Sequence, residues 1–479
     1  MQKVALVYDD TITPKDRIKT IIGDKSFGNI VLKRKKLFTR IEDEINKLKL
    51  DIDFIKIDKL NDFKFIKSYS NNTIFFHIMS NYAITDNEKF DVLLEKLQFI
   101  KQTMTLKNNT NIGVIFSNKG DYLNFLKEYT SVGNIEFEKE NVTEINYFMD
   151  LAEYDNLLIY ISGGFDSRFF NSLEGDKYIV TKKSKDKLKM EKEYKYYWLL
   201  PEEMKSWMVM PYNFKDHGDY ASYTMERMPM TDIAIRWTHE AIDEKEFRHI
   251  MDKIFYFFSI RPQRDISKDE FEKMQDEIYI KKVENRVENL KKLEQYKNLK
   301  LLIQSGTEYN SIDDIIEEYK KLYYYAKKKY IKDKRYKFVI GHGDVFFANM
   351  LYSKEINLLR LIDPKGCLKE EELWTDQYYD IAKLSHSICG NYDFFNVDAF
   401  SIELDKNMKF NLNINFDNKK YVEIFKEYLN KYGFEYNLIR IYEASLFLSM
   451  LPLHIDNPHK VFGFILNAIN IIKEIEANV

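Results

Sequence analysis

Asp344, Asn349 and Asp363 combine side-chain types and spacings that could do chemistry. Residues 341–352 read Gly-His-Gly-Asp-Val-Phe-Phe-Ala-Asn-Met-Leu-Tyr, and an apolar run then leads to Leu-Ile-Asp-Pro-Lys-Gly at 361–366. Asp344 and Asn349 are five residues apart on a short loop, and Asp363 follows fourteen residues later at the end of an expected strand, Leu358 to Ile362. A hairpin would bring the three polar groups to one point. ATP bound with Mg²⁺ carries several negative charges that must be held in line with an incoming hydroxyl. A carboxylate facing that hydroxyl can accept its proton, the place expected for Asp344. Magnesium prefers oxygen ligands and keeps some of its waters, so the amide of Asn349 and the carboxylate of Asp363 suit it. His342, two residues before the expected base, belongs to the same catalytic loop, where its expected part is to brace the loop through hydrogen bonds. A polar turn between two strands is the plainer alternative, but it leaves the agreement of spacing, residue types and flanking strands unexplained. His217-Gly218-Asp219 repeats the tripeptide, yet the fifth residue after Asp219 is Thr224 and no Ile-Asp strand follows.

If the C-terminal half carries this site, a smaller lobe that grips the nucleotide should precede it, and the segment from Asn156 to Met228 reads that way. Leu157 to Ser162 reads as an apolar strand, Gly163-Gly164 as a turn, Arg168 to Leu173 as a strand, Gly175-Asp176 as a turn and Tyr178 to Lys182 as a third strand. Paired glycines let a backbone approach phosphates with its amides pointing inward; an ordinary hairpin turn is the competing reading. Beyond Thr238 the pattern is strongly helical, with Glu240 to Phe258, Lys268 to Leu299 and Ser311 to Tyr330 periodic in apolar residues.

The stretch from His342 to Gly366 resembles the catalytic and metal-binding segments of the aminoglycoside phosphotransferase and choline kinase family. It is particularly similar to a bacterial branch associated with surface-polysaccharide biosynthesis, reading His-Gly-Asp, then Asn-x-Leu-Tyr, then Ile-Asp-Pro-x-Gly. The resemblance covers about 320 residues, from near 156 to the end. It implies Asp344 as base, Asn349 and Asp363 as metal ligands, and Gly163 and Gly164 at the nucleotide phosphates. It also implies that Lys182, closing Ile179-Val180-Thr181-Lys182, neutralises those phosphates, with its neighbour Lys183 the competing choice on the opposite face of the strand. A helix carboxylate should hold that lysine. Glu193 is preferred to Glu191, because Glu193-Tyr194 and Leu200-Pro201 match the family pattern. Tyr223 to Met228 resembles the connection between lobes that borders the adenine, with Met225 and Met228 against the base or packed in the core. Asp380, in Tyr378-Tyr379-Asp380-Ile381-Ala382-Lys383-Leu384, resembles a position that steadies the catalytic loop. His454 reads either as a satisfied core group or as a neighbour of substrate.

The resemblance therefore implies an ATP- and Mg²⁺-dependent kinase with a small-molecule hydroxyl acceptor, a sugar or amino alcohol, in bacterial capsule or surface-glycan synthesis. The alternatives are a protein kinase, against which the absence of Asp-Phe-Gly and Ala-Pro-Glu weighs, and a nucleotide-binding pseudokinase scaffold. The fold expected is an α/β N-terminal domain with a mostly parallel sheet (1–152), followed by a bilobal protein-kinase-like α+β part: a smaller lobe at 153–237 and a helical lobe at 238–479.

At 479 residues, 45% hydrophobic and 15% aromatic, the chain is expected to fold into two or three domains. Its 73 basic and 76 acidic residues give a charge of −3, which argues against broad nucleic-acid binding. Cys367 and Cys389 lack metal-ligand spacing, and no run approaches membrane-spanning length, so a reduced, cytoplasmic protein without membrane insertion is expected. Nothing in the sequence bears on oligomeric state.

Along the first 150 residues strands and helices alternate: Lys3 to Tyr8, a helix from about Leu37 to Leu48, Ile52 to Ile57, Thr73 to Met79, a helix from Asn87 to Ile100, and Ile112 to Phe116. Asp9-Asp10-Thr11 fails the haloacid-dehalogenase phosphatase pattern, because its two aspartates are adjacent rather than separated by one residue. The run Ile21 to Ile41 is faintly similar to the start of sugar nucleotidyltransferases but lacks their Gly-rich triphosphate loop, which leaves a degenerate or regulatory relative, an unrelated domain and, last, an active nucleotidyltransferase as the readings.

Overall fold

The computed structural model describes the chain apart from residues 1, 33, 109, 133–140, 163–170, 176, 177, 332–335 and 479. The chain divides into two compact units, residues 1–165 with 239–241 and residues 166–238 with 242–479.

In the first unit the strand Val4–Asp9 is buried along its whole length, as a strand covered on both faces must be. It pairs in parallel with Ile52–Ile57 on one side and Ile74–Met79 on the other. Thr110–Phe116 then runs antiparallel to Ile74–Met79, Met104–Asn108 runs antiparallel to Thr110–Phe116, and Val142–Glu144 closes the six-stranded sheet in parallel. The sheet is thus parallel-rich, as expected, with three parallel pairings, and its departure from parallel is confined to the two antiparallel pairings of Thr110–Phe116. The reason is local: Met104–Asn108 and Thr110–Phe116 follow each other too closely for a crossover and form a hairpin.

The two aspartates at the end of the first strand are held by their own surroundings. Asp9 accepts from the Thr11 amide and hydroxyl at 3.0 and 2.7 Å and lies 3.1 Å from His77 Nε2. Asp10 accepts from the Gly28 amide at 2.8 Å and from Ser26 Oγ at 2.6 Å, with Lys56 Nζ at 3.0 Å.

Residues Tyr154–Ser162 form a helix, where a strand was expected from Leu157 to Ser162. Leu157, Leu158 and Ile161 are buried while Ile159 is exposed, a helical rather than an alternating pattern. This helix falls within the first unit.

The second unit opens on a four-stranded antiparallel sheet in the order Asn171–Gly175, Ile179–Ser184, Ala221–Glu226, Pro211–Asp216. The helix Lys187–Leu199, capped by Asp186 through the Lys189 amide, packs its buried Met190 and Glu193 toward that sheet. His217-Gly218-Asp219 lies in the turn joining the last two strands, where the His217 amide donates to the Tyr220 carbonyl. Among the described residues the helical remainder has two apolar cores. One is built on the helices Tyr436–Met450 and Pro458–Ala477, and the other on Glu244–Ile260 and the strands Met350–Ser353 and Leu358–Leu361. The expected helix from Lys268 to Leu299 is interrupted: Lys268–Gln275 passes through a wider turn, Asp276–Lys281, into Lys282–Lys291, and a new helix starts at Tyr296. Among the described residues no helix is long and apolar enough to cross a membrane.

Candidate active site

Asp344, Asn349 and Asp363 are brought together by the hairpin Met350–Ser353 with Leu358–Leu361, in which Met350 faces Leu361. The ladder continues one step further, the Ile362 amide donating to the Asn349 carbonyl at 3.0 Å, so Asn349 and Asp363 emerge side by side at the open end. Asn349 Nδ2 donates to the Asp344 carbonyl at 3.0 Å and to Asp344 Oδ2 at 3.2 Å. With its amide nitrogen so engaged, the oxygen of Asn349 is the atom that can face a cation.

Asp363 has a φ of 55°, in the left-handed region that aspartate tolerates better than most residues, immediately before Pro364. Its Oδ1 lies 2.8 Å from Lys182 Nζ. Lys182 is buried and lies 2.7 Å from Glu193 Oε2, which also accepts from Tyr223 OH at 3.0 Å. Burial pulls the Lys182 ammonium down, but the Asp363 and Glu193 carboxylates and the Tyr223 phenol outweigh it and hold its pKa well above the ordinary value. Of the alternatives left open in the sequence, Lys182 and Glu193 are the pair that meets. Lys183 lies toward the Tyr220 ring, and Glu191 pairs with Lys195 on the helix surface.

His342 is fully buried beneath the loop and accepts from the Asp344 amide through Nδ1 at 3.3 Å. Burial lowers its pKa against the pull of Asp380, Asp344 and Asp363, favouring the neutral ring. It braces the backbone of the expected base and is shielded from solvent. Met225 lines a narrow pocket with Glu193, Tyr196, Ile362 and Asp363. Met228 lies two residues past the strand end, its carbonyl accepting from the Met230 amide at 2.8 Å. Gly163 and Gly164 lie outside the described residues.

Further residues hold this arrangement in place. Asp380 accepts from the His342 amide at 3.0 Å and the Gly343 amide at 2.8 Å, and pairs with the buried Arg261 at 2.9 Å. Tyr196 donates to the Gly341 carbonyl at 3.1 Å. Gly366, with a φ of 77°, passes so close to the helix Lys187–Leu199 that a Cβ there would lie 2.6 Å from the Lys192 carbonyl carbon and 2.7 Å from the Glu193 nitrogen. The Cys367 amide donates to the Lys192 carbonyl at 3.1 Å, tying the Asp363 segment to the helix that carries Glu193. Lys383, to which the sequence reading gave no role, places its Nζ 2.8 Å from Asp344 Oδ1. The signal was its position three residues after Asp380, on the same helix face.

The donor set suits magnesium: one amide oxygen and one carboxylate, both hard ligands, beside an ammonium able to meet phosphate. What the arrangement can do is hold a cation-bound polyphosphate near a partly exposed carboxylate.

No protein-family model matches the chain, and no curated protein matches it. Among solved structures the chain is similar to a thermostable mutant of aminoglycoside phosphotransferase APH(4)-Ia in ternary complex with AMP-PNP and hygromycin B, at 8% identity over 66% of this chain and 93% of that one, with a TM-score of 0.40. A complex of another mutant of that protein with ADP and hygromycin B gives 9% identity over 67% and 97% at a TM-score of 0.39, and an apo form gives 8% over 67% and 98% at 0.36.

Proposed function

We propose that the chain is an ATP- and Mg²⁺-dependent kinase that transfers the γ-phosphoryl group to a hydroxyl of a small molecule. A sugar or sugar-like precursor of a bacterial surface glycan is the favoured acceptor, and the cytoplasm the place of action. The observation that carries the reading is the meeting of Asp344, Asn349 and Asp363 at one hairpin end beside the buried Lys182–Glu193 pair.

In this reading Lys182 neutralises nucleotide phosphate, and Glu193 and Tyr223 fix where its ammonium sits. Asn349 and Asp363 hold the magnesium ion, which when bound screens the charge of the β- and γ-phosphates. Asp344 orients the acceptor hydroxyl and takes its proton as the acceptor oxygen bonds to the γ-phosphorus and the bond to the bridging oxygen breaks, leaving ADP. Little covalent work falls to the protein, so positioning and electrostatics supply most of the rate.

The Asp344→Asn variant tests this. Affinity for a non-hydrolysable ATP analogue is expected to stay within about twofold of wild type while turnover falls by about 10² or more, the scale of an acid–base group. Retained turnover removes Asp344 from its role. Labelled ATP incubated with a panel of sugars, amino alcohols and aminoglycosides distinguishes this activity from a protein kinase, which would label protein. Tight nucleotide binding with no turnover on any acceptor would instead identify a nucleotide-binding scaffold.

A further inference from the structure

The helix Tyr379–Ile388 presents Asp380, Lys383 and Ser387, spaced three and four residues apart, on one face toward the catalytic loop. Asp380 takes the His342 and Gly343 amides at the start of the loop, and Ser387 Oγ accepts from the Phe347 amide at 3.0 Å near its end. These two contacts fix the backbone on either side of Asp344. The third residue of the row, Lys383, reaches the Asp344 side chain itself, Nζ to Oδ1, at 2.8 Å.

The surroundings of Lys383 leave its ammonium few other places to go. Its side chain is 13% exposed, whereas that of Asp344 is 34% exposed, so the carboxylate faces solvent with the ammonium behind it. The Phe346 ring lies 5.9 Å from Nζ, and the phenols of Tyr379 and Tyr392 are close enough to interact with its charge. On the other side of the carboxylate, Asn349 Nδ2 meets Oδ2 at 3.2 Å. A carboxylate met through one oxygen by an ammonium and through the other by an amide has its plane and its χ angles set, and a carboxylate oxygen can accept more than one hydrogen bond, so a hydroxyl can share it.

We propose that Lys383 is a positioning residue for phosphoryl transfer: it acts through Asp344, holding the carboxylate turned toward the acceptor hydroxyl. The role rests on the kinase reading above. A carboxylate misplaced by even about 1 Å costs on the order of 10²-fold in rate. Losing this tether therefore slows turnover without touching the nucleotide side, where Lys182 and Asp363 do the binding.

A double-mutant cycle with Lys383→Met and Asp344→Asn in the full-length chain tests the role. Lys383→Met is expected to lower kcat by about 10- to 100-fold, with the KM for ATP and the Kd of a non-hydrolysable analogue within about twofold of wild type. Lys383→Arg, which keeps a charged donor, should recover most of the loss. In the Asp344→Asn background Lys383→Met should cost less than about twofold more, because groups that act as a unit are not additive. A penalty of full size in both backgrounds, or wild-type kcat in Lys383→Met, overturns the role while leaving the kinase reading intact. Should Lys383→Met fail to fold, Lys383→Gln takes its place in the cycle with the same two outcomes. A folded wild-type protein with no turnover on any acceptor overturns the kinase reading itself, and this role with it.

Discussion

Replacing Glu193 by glutamine keeps the size of the side chain and removes its charge from a buried site. Glu193 Oε2 accepts from Lys182 Nζ at 2.7 Å and from Tyr223 OH at 3.0 Å, both within the protein interior. Charge-assisted hydrogen bonds are roughly twice as strong as neutral ones, and a typical neutral bond contributes about 1 kcal/mol net. The substitution should therefore weaken the hold on the ammonium by about 1–2 kcal/mol. Lys182 does not come adrift altogether, because Asp363 remains 2.8 Å away. If that hold is what aims the ammonium at the phosphates, nucleotide affinity falls by about 5- to 30-fold, since each 1.4 kcal/mol is tenfold. Titration calorimetry with a non-hydrolysable ATP analogue and Mg²⁺ measures it. Glu191→Gln is the internal control: Glu191 pairs with Lys195 at 2.6 Å on the surface, with side chains 37% and 44% exposed, and exposed pairs contribute about 0–1 kcal/mol. Its affinity should stay within about twofold. Equal losses in the two variants, or a larger loss in Glu191→Gln, would refute the assignment of Glu193.

Two further outcomes are expected. Gly366→Ala puts a Cβ against the Lys192 and Glu193 backbone in a left-handed conformation. About 1–2 kcal/mol of conformational strain and about 1–3 kcal/mol of overpacking should lower the melting temperature, and nucleotide affinity should fall with it; an unchanged melting curve would contradict the close approach. Asp393 is buried, and burial pushes its carboxyl up from 3.8 to about 7, against the pull of Ser387. A carboxyl whose pKa is higher in the folded than in the unfolded protein favours folding fully below the unfolded value. That contribution is lost as pH rises from about 4 to about 7. At 1.36 kcal/mol per pH unit the gap is worth about 4 kcal/mol at most. Asp393→Asn should thus melt above wild type at pH 8 and lose this advantage toward pH 4; denaturation curves across that range check the sign.

What could be read ahead of the structure was what depends on local spacing. The hairpin after Asn349 was legible because a turn and two short apolar runs determine which residues meet. Lys182 and Glu193 were found as the preferred members of open pairs, and the structure brings them together through strand alternation and helix periodicity. Lys383 went unassigned because its partner lies 39 residues earlier in the chain: its place three residues after Asp380 marked the helix face it shares, not the side chain it would meet. The role of Gly366 was hidden for a similar reason: the backbone it approaches belongs to a helix far away in sequence. Leu157 to Ser162 misled because a short run rich in Leu and Ile suits either a strand or a buried helix face. The direction of Thr110–Phe116 was equally closed to inspection, since a strand's own residues do not encode the sense of its neighbour.

The Lys182–Asp363 contact has a consequence for how ligands arrive. In this pair the ammonium and the carboxylate satisfy each other at 2.8 Å. Under the proposed function, binding would be an exchange of partners, in which Asp363 would trade ammonium for cation while Lys182, still held by Glu193 at 2.7 Å, would trade carboxylate for phosphate. Either ligand alone would break the pair while replacing only one of its halves, so the proposed function implies favourable thermodynamic coupling between nucleotide and cation.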